Sequence, residues 1–327
     1  MTSDPELTRI RPVRSAVLLA AGEGVRIRPV SGDTPKAILP VANRALILHH
    51  LDTLAAAGID DITIVVGASA DGIRAAIDAD PIARTLTIRY IDQPQRRGIA
   101  HALSLVEPHI SGGIILILAD IFLVNHRLDL ALTEFRDHRC ACIIGAIHEP
   151  DPALISRNFS IATDADGAAT RVIEKPVDPA PGLKGVGAYI FTPAIFDAIR
   201  ATPPSALRGE QELTDAIQTL IDRATPVRAV CITDADVNVN DARGLLDANL
   251  AALRHRGQSL LIADGARIDP TAVLIDTVVG AGASIGPGAS LRSCIVLPHA
   301  TVDRQAAHHR CIITPDAIIP ADAPGEN

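Results

Sequence analysis

The sequence has few cysteines, no excess of positive charge and no long apolar run, and each absence narrows the kinds of protein that it encodes. The longest apolar run, 114–119, is far shorter than the roughly 20 residues that a membrane-spanning helix requires. The 30 Lys and Arg residues are outnumbered by 38 Asp and Glu residues, and the net charge is -8. This charge disfavours nucleic acid and anionic membranes as partners. A phosphate group must therefore be bound by groups close to it, and not by the overall charge of the protein.

The five cysteines form no recognisable disulfide framework or metal motif. Only Cys140 and Cys142 lie close together, and their C-x-C spacing lacks the second pair that a zinc site needs. The polar N-terminal segment of mixed charge also lacks the apolar core of a secretory signal. We therefore expect reduced core thiols and a cytoplasmic location.

Short β-branched runs alternate with helical patterns in the first third of the chain. Strand-like segments at 16–20, 62–66, 86–91 and 114–119 are separated by segments whose apolar residues follow helical spacing. Successive βα units of this kind form a mostly parallel sheet, and such sheets bind ligands at the carboxyl ends of their strands. The pattern predicts an α/β fold with a Rossmann-like sheet.

The periodicity changes twice after residue 140. From about 140 to 235 it becomes irregular, which suggests an insertion on the substrate side of the same domain, and a long helical pattern then ends at Gly257, a typical C-cap. Beyond this glycine, aliphatic residues recur every six positions, namely Val273, Val279, Ile285, Leu291 and Leu297. A six-residue repeat predicts a parallel β-helix. The predicted organisation is a tail at 1–13, an α/β domain at 14–257 and a β-helix at 258–327.

A loop with two glycines follows the first predicted strand. Gly22 and Gly24 lack Cβ atoms, so backbone amides can approach a triphosphate closely, while Arg26 and Lys36 supply positive charge. The loop is not a Walker A motif, because no Gly-Lys-Ser or Gly-Lys-Thr follows. It is not a dinucleotide fingerprint either, because Ile27 replaces the third glycine. A glycine turn alone is more often only a turn, so the surrounding string decides its interpretation.

The surrounding string resembles the signature of sugar-phosphate nucleotidyltransferases. It reads LAAGEGVRIRP at 19–29 and TPKAILPVANRAL at 34–46, and the likeness continues through DQPQRRGIAHAL, VIEKP and ELTDAIQTLID to about residue 256. The chain is most similar to the long-form glucose-1-phosphate thymidylyltransferases, whose C-terminal segment is a left-handed β-helix. The resemblance implies a GT-A-like domain that transfers a nucleotidyl group from a nucleoside triphosphate to a sugar 1-phosphate and releases pyrophosphate. It also implies Mg²⁺ as the cofactor and a homo-oligomer.

The resemblance assigns the nucleotide site and the catalytic cations. Arg26 and Lys36 correspond to the residues that stabilise the leaving pyrophosphate. Gln93 stands five residues before Gly98, as does the family's glutamine that reads a pyrimidine edge. Because an amide both donates to and accepts from uracil or thymine, dTTP or UTP is favoured. The implied nucleotide-binding residues are Ala20, Ala21, Gly22, Gly24, Gln93 and Gly98.

Two residues match the family's metal ligands. Asp120 follows the apolar strand at 114–119, where the family has its metal-binding aspartate, although a strand-end aspartate is otherwise often a turn or helix-cap residue. Register with the following helix places Asn238 at the second ligand position, where most thymidylyltransferases have Asp. An asparagine carbonyl binds Mg²⁺, but the lost charge should weaken the site.

The sugar-binding residues implied by the resemblance are Glu174, Lys175 and Gly187. Lys175 would pair with the phosphate, Glu174 would accept sugar hydroxyls, and Gly187 would leave room for the ring. Phe159 replaces a glycine that is frequent near the sugar, so a different sugar or a cyclitol phosphate is an alternative acceptor. GTP as the nucleotide, and a non-catalytic homologue that only binds nucleotide sugar, are further alternatives.

Another alternative is acyltransferase activity in the β-helix, with a histidine as base. The candidates are His299, His308 and His309. A β-helix of this length has few coils, so we expect it to provide packing or oligomer contacts instead.

Overall fold

A computed structural model describes residues 13–68, 70–95, 97–205 and 209–322. The predicted tail therefore lies outside the described residues except for Val13, and so do the last five residues of the predicted β-helix. Within the described ranges, no helix is both long and apolar enough to cross a membrane.

A mixed sheet forms the centre of the α/β region. The strands of this region are β1 (Ser15–Ala20), β2 (Pro40–Val41), β3 (Arg44–Ala45), β4 (Asp61–Val66), β5 (Thr87–Asp92), β6 (Ile114–Leu118), β7 (Ile121–Val124), β8 (Cys142–Glu149), β9 (Phe159–Thr163), β10 (Ala169–Glu174), β11 (Gly182–Phe191), β12 (Val227–Cys231) and β13 (Ala235–Asn238). In the described part of the chain, nine strands form one sheet in the order β10-β9-β11-β6-β1-β4-β5, with β8 beside β11 and β12 beside β8.

The two halves of this sheet differ in strand direction. β1 runs parallel to β4 and β6, and β4 runs parallel to β5, as the alternating pattern predicts. β11 runs antiparallel to β6, β8 and β9. The irregular segment after residue 140 therefore belongs to the same sheet, and its strand β11 adds antiparallel pairs to the parallel half that the alternating pattern predicts.

Helices cover both faces of the sheet. They are α1 (Arg28–Ser31), α2 (Leu46–Ala56), α3 (Ala70–Asp78), α4 (Ile99–Ser104), α5 (Leu128–Asp137), α6 (Pro152–Ser156), α7 (Ala194–Ala201), α8 (Leu213–Asp222) and α9 (Ala242–His255). Side chains alternate between the faces of a strand, so Leu18 packs in the core with residues of α2 and α3, while Val17 packs in the core with residues of α4, α7 and α8. The helices cover the faces of the sheet, and the ends of its strands form an open edge.

A separate two-stranded sheet lies at this edge. β7 and β13 pair antiparallel, with Ile121 opposite Asn238, and the backbone N–H of Val239 donates to the carbonyl of Asp120 at 2.8 Å. The two segments that carry the predicted metal ligands are thus adjacent, although they are far apart in the sequence.

The C-terminal segment is a short left-handed β-helix. Its strands are β14 (Leu260–Ile262), β15 (Arg267–Ile268), β16 (Val273–Ile275), β17 (Thr277–Val279), β18 (Ser284–Ile285), β19 (Ser290–Arg292), β20 (Ile295–Val296), β21 (Thr301–Val302), β22 (Ala307–His309), β23 (Cys311–Ile313) and β24 (Ile318–Pro320). The parallel ladders β14-β17-β20-β23, β15-β18-β21 and β16-β19-β22 form its three sides, and β24 pairs antiparallel with β23.

The predicted six-residue stack is correct in the middle and wrong at both ends. Val279, Ile285 and Leu291 are buried in the interior, whereas Val273 is 48% exposed. Val278 lies beside Ile295 and Ile295 beside Ile312. One coil therefore takes 17 residues, whereas three sides of six residues each would take more. The register therefore slips by one, and the interior positions are Leu274, beside Leu291, and Val296, beside Val279.

The β-helix packs against α9. Leu250 and Leu253 of this helix share an apolar core with Val278, Ile295 and Ile312 on the outer surface of the first β-helix side. Arg310 supports this packing through a 3.2 Å contact with Asp247 of α9. The Asn43 amide, between β2 and β3, also donates to the carbonyl of Val279 at 3.0 Å.

His50 on α2 should make the fold sensitive to acid. Its side chain is 3% exposed, and burial, followed by the nearby His126 and His49, lowers its pKa to about 3. In the unfolded chain a histidine has a pKa of about 6.5. The unfolded state therefore binds the proton first as the pH falls, so the contribution of neutral His50 to stability is complete above about pH 6.5 and is lost towards pH 3.

We expect His50→Gln to reduce this loss. With these two pKa values, protonation of His50 in the unfolded state should lower the unfolding free energy of the wild type by about 2 kcal/mol as the pH falls from 7 to 5. The variant lacks this titrating group, so this part of the pH dependence should be absent. Denaturant unfolding at the two pH values measures it. His138→Gln, which removes an exposed ring beside Glu134, is the control. Equal losses in wild type and His50→Gln would contradict the assignment.

Candidate active site

A cavity of about 410 Å³ opens at the carboxyl ends of β1 and β6. This volume is in the usual range for small-molecule sites. The cavity is lined by Leu19, Ala21, Gly22, Gln93, Gly98, Ile99, Ala102, Leu118, Asp120, Ile121, Arg157, Asn158, Phe159, Glu174, Lys175, Gly185, Gly187, Tyr189, Glu210, Glu212, Leu213, Thr214 and Asn238.

Most of the residues identified from the sequence line this cavity. Those that do are Ala21, Gly22, Gln93, Gly98, Asp120, Glu174, Lys175, Gly187 and Asn238. Ala20, Gly24 and Lys36 lie outside the lining but adjoin it through the loop and through Asp120. Arg26 is exposed, and among the described residues it makes no hydrogen bond or ion pair, so its role stays a prediction.

Lys36 joins three segments at the base of the cavity. Its ammonium lies 2.5 Å from Asp120 Oδ2 and 2.7 Å from Asn240 Oδ1, and its side chain is only 11% exposed. Two side-chain oxygens from distant parts of the chain thus converge on one cation. Asn240 was not identified from the sequence, because spacing alone does not distinguish it from Asn238, two residues earlier.

Gly24 allows Lys36 to reach this position. Its φ of +63° lies in the left-handed region, and a Cβ atom there would lie 2.6 Å from Lys36 Cγ. Gly22 is also close to the lysine, because its Cβ would lie 3.3 Å from Lys36 Cε. The two glycines therefore let the loop pass directly over the lysine side chain, a contact that the sequence did not reveal.

Gln93 lies where β5 leads into α4. Its side chain is 9% exposed, and its Nε2 lies 3.3 Å from Nδ1 of His101. Burial, followed by the charge of Arg97, lowers the pKa of His101. Because an amide nitrogen can only donate, Nδ1 of His101 accepts one amide hydrogen of Gln93 in this contact. The other amide hydrogen and the carbonyl of Gln93 stay available to a ligand.

Gly98 allows a second close backbone approach. Its φ is +95°, and a Cβ atom would lie 2.7 Å from the carbonyl oxygen of Gln211. The segment before α8 therefore packs directly on the N-terminus of α4, which brings Leu213 and Thr214 to the cavity.

Glu174 and Lys175 lie at the end of β10. Thr214 donates its hydroxyl to Glu174 Oε2 at 3.2 Å, which orients the carboxylate. Lys175 has φ of +43°, unusual for a side chain of this length, and its backbone N–H donates to the carbonyl of Asn158 at 2.7 Å. Backbone strain of this kind is often found at functional sites.

Phe159 packs over Gly185. A Cβ atom on this glycine would overlap the phenyl ring, and the ring is stacked on Tyr189 with 6.3 Å between centroids. The ring thus occupies the volume that a side chain at 185 would fill, and it forms an apolar wall of the cavity rather than closing it.

Known proteins resemble this chain over most of its length. Residues 15–254 match the family model described as nucleotidyl transferase. The chain belongs to the nucleotidyl transferase family. A glucose-1-phosphate thymidylyltransferase of Streptomyces antibioticus is 33% identical over 283 residues, 81% of this chain and 78% of that protein. A UTP–glucose-1-phosphate uridylyltransferase of Haloferax volcanii is 36% identical over 217 residues, 66% of this chain and 87% of that protein.

Solved structures of the same fold support the architecture. The crystal structure of a UDP-glucose pyrophosphorylase complexed with UDP-glucose matches with a TM-score of 0.67 at 24% identity, over 74% of this chain and 99% of that one. At this identity the match shows the fold alone.

For this nucleotidyl transferase we expect Gly24→Ala to impair turnover more than stability. An alanine at positive φ costs about 1–2 kcal/mol, and the added Cβ should also displace Lys36 from Asp120. Gly58→Ala is the matched control, because Gly58 has φ of +75° and no atom within 4 Å of its Cβ position. Thermal unfolding and steady-state turnover of both variants provide the measurement. Equal turnover in the two variants would contradict the role of Gly24.

Proposed function

We propose that the protein transfers the nucleotidyl group of dTTP or UTP to a sugar 1-phosphate and releases pyrophosphate. The observation that carries this proposal is one cavity with Gln93 on its lining, Asp120 and the Lys36 contact at its base, and Glu174 and Lys175 on the acceptor side. The names of the relatives support glucose 1-phosphate as the first acceptor to test.

The residues at the base of the cavity fit Mg²⁺. Within the described residues no group of three or more His, Cys, Asp or Glu side chains is arranged to hold a metal, but Mg²⁺ usually takes one or two carboxylates and fills its remaining positions with water and substrate phosphates. The oxygens of Asp120 and Asn240 converge on the Lys36 ammonium, which supports a site for a cation close to them. We propose that Asp120, Asn238 and Asn240 hold the ion.

When bound, Mg²⁺ would supply positive charge that offsets the negative charge of the phosphates. The side chains of the chain itself position the two polyanions. Lys175 pairs with the sugar phosphate and Glu174 accepts hydroxyls, while Lys36 and Arg26 stabilise the pyrophosphate. A phosphate oxygen of the sugar bonds to the α-phosphorus as the bond to the β-phosphate oxygen breaks, and no general base is needed because the nucleophile is already an anion.

The proposal is tested by pyrophosphate release over a grid of nucleoside triphosphates and sugar or cyclitol 1-phosphates with Mg²⁺. A protein that binds nucleotide sugar but releases no pyrophosphate with any pair would be a non-catalytic homologue. The homo-oligomer implied by the resemblance stays a prediction, and light scattering tests it.

We expect Asp120→Ala to abolish turnover while the fold survives, because this carboxylate lies on the cavity rather than in the core. The matched control is Asp129→Ala, an exposed carboxylate on α5. Pyrophosphate release and thermal unfolding are the measurements. Near-normal turnover of Asp120→Ala would remove the carboxylate from the metal site.

Asn238 and Asn240 are distinguished by introducing an anionic oxygen at each. We expect Asn238→Asp to lower the Mg²⁺ concentration needed for half-maximal turnover, since a carboxylate binds Mg²⁺ more strongly than an amide. Asn240→Asp should strengthen the contact with Lys36 as well. An unchanged Mg²⁺ requirement in one variant would exclude that asparagine as a ligand.

Base selectivity tests Gln93. Gln93→Glu replaces the donor with a carboxylate facing a base carbonyl, and the unpaired acceptor should cost about 1–3 kcal/mol, or roughly five- to a hundredfold in kcat/KM with dTTP or UTP. Thymine and uracil differ by one methyl group, worth about 1 kcal/mol, so both should be used. The measurement is the ratio of kcat/KM for dTTP and UTP to that for GTP and ATP, in wild type and variant. A wild type that prefers GTP or ATP would exclude Gln93 as the base reader.

A further inference from the structure

Lys184 is a buried lysine that the proposed reaction does not use. Its side chain is 4% exposed, and its ammonium lies 2.8 Å from Asp236 Oδ1 and 3.3 Å from Glu149 Oε2. The side chain of Asp236 is 3% exposed, and in the described part of the chain its second oxygen, Oδ2, has no hydrogen-bond partner. Apolar residues in place of a buried ion pair are often as stable or more stable. Stability alone therefore does not account for this contact.

The contact joins the two sheets at the edge of the cavity. Lys184 belongs to β11, which contributes Gly185 and Gly187 to the cavity lining, and Asp236 belongs to β13, which ends at Asn238. The contact therefore connects the acceptor side of the cavity with the strand that carries a proposed metal ligand.

The small sheet β7/β13 has two different faces. Phe122 and Val124 of β7 pack into the core that contains α9, whereas Ile121 and Leu123 pack into the core of the nine-stranded sheet. On β13, residues two apart share a face, so Asn238 is on the same face as Asp236.

Apolar contacts alone would hold β13 against β11 without fixing its position along the strand, because such contacts are not directional. A cross-sheet ion pair with a 2.8 Å contact is directional, and buried polar contacts can specify register at the expense of stability. Gly187 adds to the close fit, since a Cβ atom there would lie 2.5 Å from Ile121 Cδ1.

We propose that Lys184 and Asp236 are positioning residues, whose ion pair holds β13 against β11 and so sets the position of Asn238 and Asn240 relative to the acceptor side of the cavity. This inference rests on the proposed function only in treating these asparagines as metal ligands. Neither Lys184 nor Asp236 belongs to the described lining of the cavity.

The main variant is Asp236→Ala. It removes the contact between the sheets but leaves Lys184 paired with Glu149, so no isolated charge is buried. Asp236→Asn is the conservative variant, because its amide oxygen still accepts from the lysine. The control is Asp234→Ala, which removes an exposed ion pair with Arg127 at 3.0 Å two residues earlier on the same segment.

Two quantities are measured. Mn²⁺ binding is measured by electron paramagnetic resonance in the presence of dTTP or UTP, and stability is measured by thermal unfolding. We expect Asp236→Ala to bind Mn²⁺ about tenfold more weakly, the size typical of lost support behind metal ligands. Asp236→Asn should lose less, and Asp234→Ala should bind as wild type. If Asp236 only stabilised the fold, Asp236→Ala would lower the unfolding temperature and leave the Mn²⁺ affinity of the folded protein unchanged.

Wild-type Mn²⁺ affinity in folded Asp236→Ala would overturn the inference. If that variant does not fold, Asp236→Leu takes its place, because it removes the same contact and fills more of the volume, and full Mn²⁺ affinity in the folded variant would overturn the inference equally. A wild type that binds Mn²⁺ but releases no pyrophosphate would contradict the proposed function and leave the positioning role intact. A wild type that binds no Mn²⁺ would overturn the positioning role.

Discussion

The ammonium of Lys36 lies between the side-chain oxygens of Asp120 and Asn240, at 2.5 and 2.7 Å, and this shared contact constrains three parts of the chain. The loop after β1 must pass directly over the lysine, which requires glycine at position 24. β6 must end just before Asp120, and the chain must return alongside it after β13. The rest of the cavity adjoins this contact, where the positive charge of Lys36 meets the negative charge of Asp120 beside the sheet.

Local charge also explains how an acidic protein is suited to bind two polyanions. The net charge of -8 would repel a nucleoside triphosphate at long range, but screening limits that effect to about 10 Å in ordinary salt. At short range the phosphates would meet Arg157 and Lys175 on the cavity lining and Lys36 beside it. In the proposed reaction Lys36 and Lys175 each carry positive charge to a different phosphate.

The two halves of the sheet divide the cavity between them. The parallel half contributes the loop after β1 and the segment after β5, and the proposed nucleotide contacts come from these. The antiparallel half contributes β10 and β11, with Glu174, Lys175 and Gly187, and the proposed acceptor contacts come from these. The β-helix packs on α9 through Val278 and Ile295 and contributes no residue to the described lining of the cavity.

The sequence by itself determined the features that depend on local order. The βα alternation, the strand before Asp120 and the aliphatic repeat of the β-helix follow from periodicity, and nine of the 23 residues on the described cavity lining follow from motif resemblance. Tertiary structure decided the rest. The 17-residue coil moved the interior positions to Leu274 and Val296, because the stacking of neighbouring coils sets the register and a six-residue rule does not. The contacts of Asn240 with Lys36 and of Asp236 with Lys184 join segments far apart in the chain, and no local pattern shows which distant side chain will neutralise a buried charge.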